Sequence, residues 1–352
     1  LSRIGLCDWA DTVCGWRLHC EMKALVYEGN HSLAIREVEE PTFGDHDALI
    51  RVHSVGICGS DLHAYHGHDE RRPPPLVLGH EVSGYRIDGG QSMPVVVNPL
   101  VTCGHCPACE RGEENLCPTR QIISMPPRPG AFSELFSIPE RNVIELPETI
   151  DLQKAALAEP IACGWHAVRL VERMSGYSIG EQRVVVIGAG AVGLGTALSC
   201  RALGVEPLKV VENNPGRRQT AIAAGFDCID ATEAGTGIEG HVDAVIDAVG
   251  MRPTRTLASQ ILRPGGTLVH IGLGDADAGI DIRRMTLQEL RVSGSYTYTM
   301  RDFRETVAAM IDGQLGHLDW FEEAPLDQGL DCFERLSEGR VGVPKILLTP
   351  NT

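Results

Sequence analysis

The rhythm of apolar positions changes near the middle of the chain. From Met22 to about Pro147 they fall in short runs, "MKALVYE", "DALIRVHSVG", "VSGYRI", "PVVVNP", "GAFSELFSIP" and "NVIELP", with Gly and Pro between them. That punctuation predicts the strands of a barrel or sandwich. From about Ala155 the pattern alternates in kind. "RVVVIG" is continuously apolar, as a strand covered on both faces must be, and a helical stretch follows from Val192 to Leu203. "PLKVVE", "RQTAIAAG", "VDAVIDAVG", "TLASQILRPGGTLVHIG" and "ELRVSGSY" continue it. Strands alternating with helices predict a doubly wound parallel sheet. Beyond Tyr298 a helical "DFRETVAAMIDG" leads to a last strand, "PKILLTP". The chain reads as a two-domain α/β protein without internal repeats.

Two segments carry metal-binding residue types. "VTCGHCPACERGEENLC" places Cys103, Cys106, Cys109 and Cys117 in the pattern C-x2-C-x2-C-x7-C. Four thiolates held in turns enclose one zinc tetrahedrally and leave no position for substrate, so this site is expected to be structural. An iron–sulfur cluster also takes four thiolates, but the last gap is too long for a ferredoxin run. The second set is dispersed: Cys58 in "GICGSDLH", His80 and Glu81 in "GHEVSG", and Glu159 in "LAEPIACGWH". A thiolate, an imidazole and a carboxylate suit a catalytic zinc, which keeps one position open. Any of these residues alone would more simply be a packed side chain.

"VVVIGAGAVG" contains Gly188-x-Gly190-x-x-Gly193 after an apolar strand and before a helix. Gly188, Gly190, Val192 and Gly193 are the candidate pyrophosphate contacts. Glu212 ends the next strand, where a carboxylate accepts hydrogen bonds from a ribose diol and repels a 2′-phosphate. NAD is therefore preferred over NADP, with Arg217 and Arg218 softening the preference.

Composition narrows the remaining classes. A formal net charge of −16 over 352 residues argues against nucleic-acid binding, and no apolar run approaches bilayer-spanning length. Twelve cysteines in a long chain without a secretory signal pattern point to metal binding and a reducing compartment, so a cytoplasmic location is expected. Residues 1–21 are expected to be an extension with no catalytic role.

From Met22 onward the motifs "GICGSDLH", "GHEVSG", "CGHCPACERGEENLC", "AEP" and "VVVIGAGAVG", in that order, resemble the zinc-dependent medium-chain dehydrogenases, the alcohol and polyol dehydrogenase superfamily. The resemblance implies a GroES-like β-barrel catalytic domain over residues 22–158 and a Rossmann domain over 159–298. A C-terminal segment over 299–352 would return to the catalytic domain. It implies two zinc ions per chain, a homodimer or homotetramer, and catalytic-zinc ligands Cys58 and His80. Glu81 matches a direct ligand of sorbitol-dehydrogenase-like members. Glu159 matches the third ligand position, where the family's alcohol dehydrogenases carry cysteine. Ser60 and His63 match the proton-relay hydroxyl and imidazole, and the four clustered cysteines match the structural zinc.

The activity so implied is oxidation of a secondary alcohol (a polyol, sugar acid or diol) to a ketone by hydride transfer to NAD(P). Oxidation of an amino alcohol such as threonine is the alternative, and a catalytically silent NAD-binding scaffold is another. His66, His68, Arg71 and Arg72 are candidates for the entrance, and Arg301 for a substrate anion. One departure from the family pattern, Met93-Pro94 in place of the usual Gly-Asp turn, puts the local barrel geometry in question.

Overall fold

The computed structural model describes residues 21–88, 91–234 and 240–350. The expected extension, residues 1–21, lies outside the described residues but for Glu21.

The N-terminal strands build a partly open barrel. Glu21–Gly29, Ser32–Glu39 and Leu76–Val77 form a three-stranded sheet. A larger sheet is centred on Asp47–Gly56, which pairs with Glu81–Asp88 on one side and with Lys345–Thr349 on the other. Leu25 N–H donates to Phe132 O at 2.8 Å and ties the first sheet to the segment leading into Leu135–Pro139, a strand of the second. Between them lies an apolar core that includes Ile50, Val82, Phe132, Phe136 and Phe333. The last strand of the chain is thus a strand of the barrel. This join pairs Leu347 with Gly56 and Leu348 with Val55.

Met93-Pro94 does not disturb this sheet. Gln91–Val97 pairs antiparallel with Glu81–Asp88, with Pro94 opposite Tyr85. Pro94 lacks an N–H, but its carbonyl accepts from Leu146 N–H at 2.9 Å, so the strand keeps both neighbours.

The second unit is a six-stranded, all-parallel sheet. From one edge to the other its strands are Asp227–Ile229, Leu208–Val211, Val184–Ile187, Val242–Asp247, Leu262–His270 and Arg291–Gly294. Order reverses between Val184–Ile187 and Val242–Asp247, the switch point at which doubly wound sheets open a ligand crevice. The periodicity locates these strands. It does not reveal the hairpin strand Ser32–Glu39 or the 18-residue helix Ala158–Ser175. Pro160 reads as a helix breaker, yet it stands in the first turn, where a missing N–H breaks no helical bond.

Candidate active site

Cys58 is fixed by the way one short helix starts. It is the N-cap of Gly59–Tyr65, with Asp61 three residues on. Cys58 N–H donates to Asp61 Oδ2 at 3.0 Å, which closes half of a reciprocal cap. The other oxygen of the same carboxylate, Oδ1, lies 3.6 Å from His80 Nδ1, and Ser124 Oγ lies 3.4 Å from that nitrogen. Nε2 is then the nitrogen left for a metal. A carboxylate behind a ligating histidine fixes ring orientation and raises basicity. Burial opposes charge on His80, but Asp61 and Cys58 outweigh it and carry its pKa well above the ordinary value. Asp61 is absent from the candidates drawn from the motifs. The C-x-x-D spacing of "CGSD" is the signal that could have found it.

Glu81 opens the strand Glu81–Asp88 directly opposite Gly56. A Cβ at Gly56 would stand 2.0 Å from Glu81 Oε2, so only glycine leaves room for the carboxylate. Lys345, the first residue of the last strand, donates to Glu81 Oε1 at 2.7 Å and to Ile57 O at 2.9 Å. Its Nζ also lies 2.6 Å from Oε2. Both partners are almost fully buried, at 3% and 1% side-chain exposure, so a full ion pair is held inside the protein. Nothing in "PKILLTP" marks Lys345 for this place.

The donor atoms of Cys58, His80 and Glu81 all lie within 4.8 Å of one another. A half-buried thiolate beside a buried imidazole and a buried carboxylate fits a zinc ion with an open fourth position. Glu159 lies outside this group. It is buried in the first turn of Ala158–Ser175, and Tyr298 donates its hydroxyl proton to Glu159 Oε1 at 2.9 Å. Burial, aided by Glu81, pushes the Glu159 pKa up to about 7 against the pull of His80, Tyr298 and Lys345.

Ser60 and His63 occupy one face of the helix Gly59–Tyr65, three positions apart. Ser60 is half-buried beside Cys58, and His63 is exposed at the helix end. Of the entrance candidates, Arg72 is internal: it donates to Ser124 O, Ser60 O and Asp69, and its Nη2 lies 3.4 Å from Ser60 Oγ. Arg71 is exposed and paired with Asp69. His66 and His68 cluster near His31 at the far end of the helix, with the His66 ring edge-on to that of His31 at 4.8 Å and tilted against that of His68 at 5.9 Å. Arg301 is 84% exposed and pairs with Glu305. It borders a cavity of about 620 Å³ between the four-cysteine lobe and the parallel-sheet unit, away from Cys58 and His80.

The four clustered cysteines converge. Their sulfurs lie 3.5 Å (Cys106–Cys109), 3.6 Å (Cys117–Cys103) and 3.9 Å (Cys103–Cys109) apart. A tetrahedron with Zn–S bonds of about 2.3 Å has edges of about 3.8 Å, so these three separations match zinc spacing, and all four sulfurs lie within 4.8 Å of one another.

At the switch point, Gly190 is the N-cap of Ala191–Ala202, and no side chain caps that helix. A Cβ at Gly190 would meet nothing within 4 Å, whereas one at Gly193 would strike Gly188 O at 2.1 Å. The turn is therefore closed on its inner side and open on its outer side, as a pyrophosphate requires. Glu212 Oε2 accepts from Ala189 N–H at 2.7 Å and Oε1 from Asn214 N–H at 2.7 Å, which aims the carboxylate along this turn. Arg217 lies in the first turn of Pro215–Ala223, with its Nε buried and unpartnered.

Residues 44–148 match the alcohol dehydrogenase GroES-like domain, and residues 191–312 match the zinc-binding dehydrogenase model. L-galactonate-5-dehydrogenase of Escherichia coli K12 is 33% identical over 312 residues, which cover 84% of this chain and 88% of that protein. The chain belongs to the zinc-dependent medium-chain dehydrogenases. D-xylulose reductase A of Aspergillus oryzae is 32% identical over 319 residues, 83% of this chain and 87% of the relative. Among solved structures, a zinc-binding dehydrogenase of Sinorhizobium meliloti 1021 bound to NADP superposes with a TM-score of 0.84. It is 29% identical, and the match covers 94% of this chain and 100% of that one. The two-domain fold with a GroES-like unit and a Rossmann unit follows.

Proposed function

We propose that this dehydrogenase oxidises a secondary alcohol of a polyol or sugar acid to the ketone, with hydride passing to NAD and a proton to solvent. The observation that carries the reading is the convergence of Cys58, His80 and Glu81 within 4.8 Å, in a chain 33% identical to a sugar-acid dehydrogenase. The proposed ligand set is these three residues, with Cys103, Cys106, Cys109 and Cys117 holding the structural zinc. A zinc ion bound by Cys58, His80 and Glu81 supplies Lewis-acid charge that favours loss of the hydroxyl proton. The chain's own residues then have to take that proton. Ser60, half-buried, follows Cys58 by two residues, and exposed His63 lies on the same helical face, so the pair leads from the half-buried helix start to water. Asp61 and Lys345 orient His80 and Glu81. The Gly188–Gly193 turn seats the pyrophosphate, and Glu212 favours NAD by opposing a 2′-phosphate, with Arg217 as the nearby cation.

The proposed domains are 22–158, 159–298 and 299–352. Self-association, as a homodimer or homotetramer, is supported by the sheet edge at Arg291–Gly294. Leu273, Ile282 and Leu287 are 75%, 61% and 67% exposed on segments around that edge. A cytoplasmic site fits the nine described cysteines, all of them free thiols, and among the described residues no helix is long and apolar enough to cross a membrane.

The test is NAD reduction across L-galactonate, xylitol and L-threonine, with Cys58→Ser as control. Turnover of the sugar acid or polyol, abolished in the variant, supports the reading. Turnover of threonine alone moves it to the amino-alcohol branch. No turnover of any substrate by zinc-loaded protein favours the silent scaffold.

A further inference from the structure

We infer that Tyr298 is a positioning residue for the candidate metal centre: it holds the Glu159 carboxylate outside the Cys58–His80–Glu81 donor set, and the four-cysteine lobe fixes where Tyr298 stands. This rests on the reading of that donor set as a zinc centre.

The hydrogen bond from Tyr298 to Glu159 is 2.9 Å long and wholly buried. The ring is locked by stacking on Phe303, with centroids 5.3 Å apart and planes 18° from parallel. The Cys163 thiol also points at Glu159 Oε1, but at 4.0 Å it is a weak donor. A buried carboxylate deprived of its phenol still feels His80 and Lys345, and a divalent cation at the neighbouring donor set is the largest charge drawing it inward.

The loop that delivers Tyr298 is held from three sides. At its start, Asn115 Nδ2 donates to Tyr296 O at 2.9 Å, and Arg120 lies over the Tyr296 ring at 4.6 Å. At its end, Met300 N–H donates to Glu114 Oε1 at 2.7 Å. Glu114, Asn115 and Arg120 flank Cys117, so the closed thiolate site anchors both ends of the loop. From the third side, His166 Nδ1 meets Asp302 Oδ2 at 2.7 Å. His166 and Glu159 lie on the same helix, about two turns apart, so the loop is pinned to that helix at two points. Between the anchors Thr297 has φ +46°, a conformation that a β-branched residue keeps only when its surroundings impose it. The structural zinc site thereby acts at a distance, setting the loop that sets the phenol that restrains Glu159.

The experiment uses the full chain with zinc retained on the four cysteines and cobalt exchanged into the Cys58 site. Visible d–d absorption reads the ligand set and geometry of the cobalt. Tyr298→Phe is expected to shift the d–d bands away from the wild-type spectrum, as the Glu159 carboxylate takes the open fourth position in place of solvent. In a Glu159→Gln background the same change should do nothing, because a neutral amide does not compete for the ion. Glu114→Ala, which frees one anchor of the loop, should move the spectrum the same way by less. A Tyr298→Phe spectrum superimposable on wild type, with melting temperature and zinc content kept, overturns the inference. A Glu114→Ala spectrum identical to wild type overturns the role of the lobe. If Cys58→Ser takes up cobalt with an unchanged spectrum, the metal-centre reading itself fails, whatever Tyr298 does.

Discussion

The two candidate metal sites are built in opposite ways. The four-cysteine site comes from 15 consecutive residues, Cys103 to Cys117, bent by turns until all four sulfurs lie within 4.8 Å of one another. The candidate catalytic site draws Cys58 from a helix cap, His80 and Glu81 from the start of a strand, and Glu159 from a second helix. Tyr298 comes from the loop before a third helix and Lys345 from the last strand. The first site needs only local geometry to form; the second exists only when the barrel closes and the parallel-sheet unit docks. A closed site assembled locally suits a strut, while a site with an open position has to be held by elements that do not share its motions.

That contrast predicts different losses. Cys58→Ser should reduce kcat/KM on the order of 10³-fold or more, the scale lost with a main electrostatic stabiliser, with the melting temperature nearly unchanged. Cys117→Ser should do the reverse, lowering the melting temperature and releasing one zinc per chain, with activity falling as the lobe loosens. If the two variants behave alike in both measurements, the division between strut and reaction centre is wrong. Lys345→Met leaves the Glu81 carboxylate buried without its cation. In the chelated, metal-free chain it should cost about 3–5 kcal/mol of stability, read by urea denaturation, and added zinc should restore part of that. Asp61→Asn removes the carboxylate behind His80 and should weaken catalytic zinc affinity or activity by about 10–100-fold, leaving the four-cysteine zinc in place. The smallest effect is expected at Arg301. Arg301→Ala removes an exposed ion pair, and stability should change by less than about 1 kcal/mol. An unchanged KM would remove Arg301 as a substrate-anion contact.

Much of this is legible in order along the chain. The tetrad spacing, the strand–glycine-turn–helix run at Val184–Ala202 and the motifs around Cys58 and His80 each carry their chemistry within a few residues. Pattern reading fails where the partner is distant. Asp61 caps its own helix and is readable from "CGSD", but its second job, facing His80, depends on a helix start and a distant strand meeting. Arg72 looks like a surface arginine in "DERRPPP" and is an internal strut to Ser60 and Ser124. Glu159 carries a ligand's residue type in a ligand's place, and its hydrogen-bond donor Tyr298 comes from 139 positions away.

The order of residues alone was enough for the periodicities, the turns and the local thiolate cage, because those depend on backbone preferences and on side chains a few positions apart. Which buried polar and charged groups meet was settled only in three dimensions: Lys345 with Glu81, Asp61 with His80, Tyr298 with Glu159. The reason is physical. A charge taken out of water is stable only beside its complement, and the complement is supplied by whichever element the closed barrel and the docked parallel sheet bring to it.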